Sequence, residues 1–165
     1  MFYELLRNDK MHILFQHLEN CKGVNQREDH HPEIDLFSHS VQVLNLALKD
    51  SDDIDLIFAA MLHDIGKQIN TLGHDDYSAD MVKGYISEKT EWLIKNHIRI
   101  IYLFTGEMKK QQKVKNLVYH PWFPDLVMLR RWDLLGRKPN YVVKYDRVET
   151  LDRICKKFNN LDVRL

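Results

Sequence analysis

AAMLHDIGKQIN, residues 59–70, closes an apolar run on His63 and Asp64 and reaches Lys67 one turn later. The run begins upstream at DDIDLIFAAMLHDI, residues 52–65, whose leading aspartates suit a helix N-terminus. The rest is apolar almost all round, the pattern of a helix buried inside a bundle. A histidine and a carboxylate side by side at its end are costly to bury unless they are paired. That cost makes the segment a candidate functional centre and sends the search outward for its partners.

The flanking sequence is helical in period. DLFSHSVQVLNLALK (35–49) places Leu36, Phe37, Val41, Leu44, Ala47 and Leu48 at spacings of three and four. Further helices are expected over 75–87, 89–104, 109–120 and 142–158, and over 123–136, where Pro124 opens and Gly136 closes the pattern. An N-terminal helix is expected over 3–19. Strand signals are nearly absent, and six glycines and four prolines leave few breaks. The expectation is an all-α, single-domain bundle of about seven or eight helices spanning residues 1–165.

A chain of 165 residues is long enough for one hydrophobic core, and 44% hydrophobic with 29% charged residues is ordinary for a globular protein. No apolar run approaches the roughly 20 residues that span a bilayer. The opening MFYELLRNDK is interrupted by charge at once, unlike a secretory leader. The expected compartment is the cytoplasm, with Cys21 and Cys155 as reduced thiols and no membrane partner. Basic and acidic residues balance at 24 each, which disfavours bulk coating of nucleic acid. The basic clusters at Lys109, Lys110, Lys113 and Lys115, and at Arg130, Arg131, Arg137 and Lys138, read as solvated faces. Nine histidines stand out, since imidazole is the common metal ligand and proton carrier at neutral pH.

Several polar residues fall on apolar stripes. His39 sits among Leu36, Val43 and Leu46; His97 lies between the turns of Leu93 and Ile101; Asp133 follows Leu126 and Leu129; His74 follows Gly73 at a loop-to-helix junction. Any one of these alone reads as a hydrogen-bonded core residue. Together with His63 and Asp64 they make four histidines and two aspartates from five helical segments, all directed inward. A shared cation satisfies such a set economically. The donors are all nitrogen and oxygen, which disfavours a structural zinc site and favours a divalent Mn, Mg, Fe, Co, Ni or catalytic Zn. One or two ions are compatible, because an aspartate can bridge a pair, and paired ions suit phosphoester hydrolysis.

The order His39, His63-Asp64, Asp133 resembles the H…HD…D signature of the HD superfamily of metal-dependent phosphohydrolases. HHPEIDLFSHSVQVLNLAL (30–48), FAAMLHDIGKQIN (58–70), GHDDYSADM (73–81), LIKNH (93–97) and LRRWDLLGR (129–137) resemble, in order, the HD domain of bacterial tRNA nucleotidyltransferases. The likeness covers about residues 24–138, with the terminal helices packing on that core. Nothing in the 165 residues resembles the nucleotidyltransferase head, so tRNA end-addition is not implied. The resemblance implies an HD-domain fold and metal ligation by His39, His63, Asp64 and Asp133. It also implies that His74 and His97 complete a second ion, or else contact substrate phosphate and a bound water.

The activity implied is hydrolysis of a small phosphoester, a phosphomonoester or phosphodiester such as a nucleotide, by a metal-bound hydroxide. Asp64 would bind metal and orient the water. Lys67 would neutralise a phosphoryl oxygen, unless it is a surface lysine past a helix turn. His31 and His120, each before proline, are further candidate substrate contacts, unless they only shape loops. Arg130, Arg131 and Arg137 flank Asp133 and can bind phosphate, with Arg130 and Arg137 as the candidates. Two other readings stand beside hydrolysis: a di-iron oxygenase resembling inositol oxygenase, which shares the six-ligand layout, and a non-catalytic binding module.

Overall fold

This computed structural model describes the backbone of residues 8–27 and 35–162 and the side chains of those up to residue 158. Nine helices occur among the described residues: α1 (Asp9–Glu19), α2 (Leu36–Asp50), α3 (Ile54–Leu62), α4 (His74–Val82), α5 (Glu88–Asn96), α6 (Arg99–Phe104), α7 (Gln111–Val118), α8 (Phe123–Leu135) and α9 (Arg147–Asp162). A short 3-10 turn, Ile65–Gln68, follows α3. Apart from one isolated bridge between Asn25 and Asp35, no strand pairing occurs among the described residues. The all-helical expectation holds. None of the helices described is long and apolar enough to cross a membrane.

Local chemistry sets the helix starts. Asn8, Asp35, Asp53 and Ser87 each accept a backbone N–H at the first turn of α1, α2, α3 and α5. Such caps satisfy donors that the helix itself leaves open, at about 1 kcal/mol each. Every side chain of α3 is buried except Asp55, which looks to its N-terminal end. Around it pack α1, α2, α5, α8 and α9, so α3 is the axis of the core. Each large apolar side chain fully buried there contributes roughly 1.5–3 kcal/mol. Trp132 of α8 is fully buried, and its indole N–H donates to Asp50 Oδ2 at 2.9 Å, pinning α8 to the end of α2.

Three expected helices differ in detail. The segment expected as 89–104 divides into α5 and α6, raising the count above eight. The cause is His97, whose Nδ1–H donates to the Ile94 carbonyl at 2.6 Å. The continuing helix would need that carbonyl for Ile98. The last helix begins at Arg147 rather than 142. Residues 142–146 lie outside regular structure, packing Val143 and Tyr145 on the core, and Asp146 Oδ1 accepts the Glu149 N–H at 2.8 Å to start the helix. The expected N-terminal helix is seen as α1; its first residues, 3–7, lie outside the described residues.

Gly66 and Gly136 mark two close approaches. A Cβ on Gly66 would stand 2.3 Å from the His74 carbonyl oxygen and 2.5 Å from the Ser78 nitrogen. The Gly66 N–H donates to Ser78 Oγ at 2.8 Å, so the 3-10 turn lies flat against α4. Gln68 donates to the His17 carbonyl at 3.0 Å and fastens the same turn to α1. Gly136 meets Val43 of α2 in the same way, with a Cβ-to-methyl distance of 2.6 Å. Gly66→Ala is expected to cost about 1–3 kcal/mol in denaturant unfolding, because the obstructing atoms are backbone. An unchanged midpoint would show that α4 can retreat from the turn freely.

Candidate metal centre

The site is built from helix ends. His63 is the C-cap of α3 and His97 that of α5, while His74 is the first residue of α4. His39 comes from the first turn of α2, and Asp133 from the last of α8. All these side chains are buried, and so is Asp64 between α3 and the 3-10 turn.

Each imidazole is anchored through Nδ1. His63 donates to the carbonyl of Ala60 at 3.0 Å, His74 to Thr71 at 2.8 Å, and His97 to Ile94 at 2.6 Å, three residues back in every case. His39 donates across the core to Gly136 O at 2.9 Å. A carbonyl has no hydrogen to give, so each ring carries its proton on Nδ1. Each neutral ring therefore presents the Nε2 lone pair to the centre, the usual form of a metal-binding histidine.

The Nε2 atoms converge on two carboxylates. His39 Nε2 lies 3.1 Å from Asp133 Oδ1 and 3.5 Å from Asp64 Oδ2. His63 Nε2 lies 3.6 Å from Asp64 Oδ2 and 3.7 Å from Asp133 Oδ1, too far for a hydrogen bond. On the other side of Asp64, Oδ1 lies 3.0 Å from His74 Nε2 and 3.3 Å from His97 Nε2, and those two nitrogens are 3.0 Å apart. Two clusters result, His39–His63–Asp64–Asp133 and Asp64–His74–His97, each with ligand atoms within 4.8 Å of one another. Asp64 belongs to both, with one oxygen in each.

These residues fit a cation. Donors bound at about 2.1 Å to one ion stand about 3.0–4.2 Å apart, the range of the neighbouring contacts here. His63 Nε2 is buried and has no hydrogen-bond partner among the described residues, the mark of an acceptor waiting for an electrophile. The facing lone pairs of His74 and His97 likewise call for a positive centre between them. The chain thus holds buried His/Asp groups able to bind metal, with a donor set of nitrogen and oxygen.

Burial works against ionising Asp64, but the charge of Lys67 and the surrounding imidazoles of His63, His74 and His97 hold its carboxyl well below the usual range. Asp133 behaves alike: burial opposes its charge, and His39 and His63 overcome it. Burial alone would lower His74, yet the contact with Asp64 raises it. His97 is lowered, chiefly by burial.

The centre floors a cleft of about 580 Å³. Asp64, Asp133, His74 and His97 line it, whereas His39 and His63 lie beneath, outside its lining. Lys67 lines it too, with Nζ 2.7 Å from Asp64 Oδ2 and 2.9 Å from Gln26 Oε1. Arg130 Nη1 is 2.6 Å from Asp133 Oδ2, and Arg137 Nε donates to the Asp133 carbonyl at 3.1 Å; both line the cleft. Arg131 is exposed on α8 and outside the lining. His120 is elsewhere, stacked on Trp92 with ring centroids 3.9 Å apart, so the structure does not bring it to the cleft as a substrate contact. His31 lies outside the described residues. Sequence reading missed Asn25, Gln26 and Arg27, which carry no periodic signal, and the apolar wall of Ile98 and Ile101. It also missed Ser78, although its place four residues after His74 puts it on the same face of α4.

Residues 36–121, just over half of the chain, match the HD domain family. The chain belongs to the HD domain family. A multifunctional CCA protein of Thioalkalivibrio sulfidiphilus (strain HL-EbGR7) is 37% identical over 89 residues, covering 49% of this chain and 22% of that protein. The chain therefore spans about a fifth of that relative's length. The family match ends before α8, so Asp133 joins this HD domain's cluster by the packing of α8 rather than within the matched stretch.

Metal stoichiometry separates the two clusters. Asp64→Ala is expected to abolish divalent-ion binding at both, His97→Ala to lose the ion nearer the cleft mouth, and Asp133→Ala the deeper one. Calorimetric titration with Mn or Co and elemental analysis measure this. Full metal content in Asp64→Ala would mean that the centre is misplaced.

Proposed function

We propose that this HD domain is a metal-dependent phosphohydrolase acting on a small phosphoester, a nucleotide by preference, in the cytoplasm. The observation that carries the reading is the sharing of Asp64. Its Oδ2 faces His39 and His63, its Oδ1 faces His74 and His97, and a cationic rim stands above. We assign His39, His63, Asp64 and Asp133 to one ion and Asp64, His74 and His97 to a second. Divalent ions held there supply hydroxide at neutral pH and counter-charge for phosphoryl oxygens.

The chain's own groups do the rest. Lys67, Arg130 and Arg137 place positive charge where the substrate's phosphoryl oxygens arrive. Arg130 stands one turn before Asp133 on α8, and Arg137, just past the C-cap Gly136, is tied to it by its bond to the Asp133 carbonyl, so both cations are fixed beside the metal ligand. The four Nδ1–carbonyl bonds hold the imidazoles still, which spares reorganisation during reaction. Ile98 and Ile101 give the cleft one apolar wall opposite the charges, a match for a planar base attached to a phosphate. A cleft of about 580 Å³ suits a molecule of nucleotide size.

The test is a panel of phosphomonoesters, cyclic nucleotides, nucleoside di- and triphosphates and dinucleotides, assayed with Mn, Mg, Co, Ni, Fe and Zn. Phosphate release, or ring opening of a cyclic ester, should require added cation and vanish with chelator. Oxygen uptake by the iron-loaded protein with no phosphoester cleaved would establish the oxygenase reading instead. Lys67→Ala should retain its metal and lose about 10- to 100-fold in kcat/KM, the scale of one charge-assisted contact in a shielded site. Unchanged turnover would make Lys67 a support for Asp64 alone.

A further inference from the structure

Asn96 and Arg99, on either side of the α5–α6 break, line a second cavity of about 380 Å³, apart from the metal cleft. Trp92 and His120 form one wall, their rings stacked at 15° with centroids 3.9 Å apart. Trp122 closes on the pair, its ring 5.1 Å from that of His120. The Trp122 N–H donates to His120 Nδ1 at 3.2 Å, which fixes the imidazole orientation. None of these three aromatic groups lines the metal cleft.

Charge accompanies the aromatic wall. Between Trp92 and Pro124 the sequence carries six basic residues and one acid, Glu107, within a chain of zero net charge. Lys113 lines the cavity, Lys109 and Lys110 lie in the chain between the lining residues Met108 and Lys113, and Lys115 stands about 200° round α7 from Lys113; all four lysines are exposed. None of these four lysines forms an ion pair among the described residues, although Lys89 and Lys95 nearby do. Glu107 instead accepts from Thr105 at 2.9 Å. Unpaired cations beside stacked aromatic rings are the chemistry that binds a base and its backbone phosphates.

We propose that the Trp92–His120 cavity and the lysines of residues 109–115 bind a single-stranded nucleic acid. One base would occupy the cavity against the rings, with Arg99 and Lys113 beside its phosphate. Lys109 and Lys110 would follow the backbone beyond it. A free nucleotide has no use for charges outside the cavity, so Lys109 and Lys110 favour a strand. The metal cleft is reached across the α5–α6 step, with Ile98 and Ile101 in the cleft and Asn96 and Arg99 in the cavity. A strand seated here can send its end to the metals. That last placement rests on the phosphohydrolase reading; the strand site itself does not.

The experiment is anisotropy of a fluorescent single-stranded oligonucleotide of about ten nucleotides, a length within known single-strand site sizes. It lacks a terminal phosphate, and the full chain is titrated in the presence of chelator and at several salt concentrations. Binding is expected to persist without metal and to weaken with salt. The variant with Lys109, Lys110, Lys113 and Lys115 all changed to Gln should bind at least about tenfold more weakly at low salt. Its log–log salt slope should be shallower by about 0.7 for each lysine that meets a phosphate. His120→Ala and Trp92→Leu should weaken binding by about tenfold with the slope retained, since stacking carries no counterion. His120→Ala keeps the aromatic arm usable if Trp92→Leu fails to fold. The lysine variant should hydrolyse a small phosphomonoester at the wild-type rate.

Absence of binding by the unaltered chain would overturn the proposal, as would a lysine variant with the original affinity and slope. Displacement by an equal concentration of mononucleotide would replace the strand with a free nucleotide. Strand binding by a chain that cleaves no phosphoester in the cation-supplemented panel would sink the reading of the metal cleft and leave this one standing.

Discussion

Asp64 carries the electrostatic demand on which the centre depends. An isolated carboxylate at this depth would cost several kcal/mol in lost hydration. It is tolerated because positive or polarisable groups meet it on both sides: Lys67 at 2.7 Å on Oδ2, and two imidazoles within 3.3 Å of Oδ1. Helix α3, apolar except for Asp55, holds that residue in place. Its side chains are locked against its neighbours, so His63 and Asp64 emerge from a support that cannot shift without disturbing the core. Gly66 then lets the chain turn flat against α4, delivering His74 to the other oxygen of Asp64. Core packing and site geometry are thus one problem with one solution.

The histidines share a device that costs the fold little. At a helix end, the last carbonyls lack intrahelical donors. His63 and His97 stand at such ends and bond the carbonyl three residues back, and His74 does the same from a loop. The bond gives a carbonyl near the helix end a side-chain donor, fixes the ring, and leaves Nε2 directed inward. One interaction serves both as a cap and as a ligand orienter.

Much of this was legible in the chain because two kinds of signal agree. The 3.6-residue period locates α2, α3, α5 and α8, and polar residues on their apolar faces pick out His39, His63, Asp64, His97 and Asp133. The burial pattern agrees with each, since all five are within the core. Less legible was what depends on side-chain capture of backbone groups. Periodicity ran straight through His97, because a ring taking the Ile94 carbonyl leaves no trace in hydropathy. It also ran on through residues 142–146, where apolar positions pack on the core outside the helix. His120 misled because a histidine before proline carries no sign of its neighbour, and Trp92, its stacking partner, is 28 positions away. Arg27 and Gln26 reach the cleft from a loop, where residue type alone says nothing of direction.

The break at His97 shows how one local event can organise two surfaces. An unbroken helix from Glu88 to Phe104 would send its residues out in strict rotation, and neighbouring positions would diverge by about 100°. By claiming the Ile94 carbonyl, His97 interrupts that rotation and points its own Nε2 at Asp64. The chain restarts at Arg99 after a two-residue step. Ile98 and Ile101 then fall in the metal cleft, while Asn96 and Arg99 fall beside Trp92 and His120. Arg99 Nη1 donates back to Asn96 Oδ1 at 3.1 Å and spans the break on its outer side. The turn of about 200° that separates Asn96 and Arg99 from Ile98 and Ile101 sets a metal-lined floor on one side and an aromatic, basic flank on the other. Any shift of His97 would disturb both, because the residues that separate them belong to the same step in the backbone.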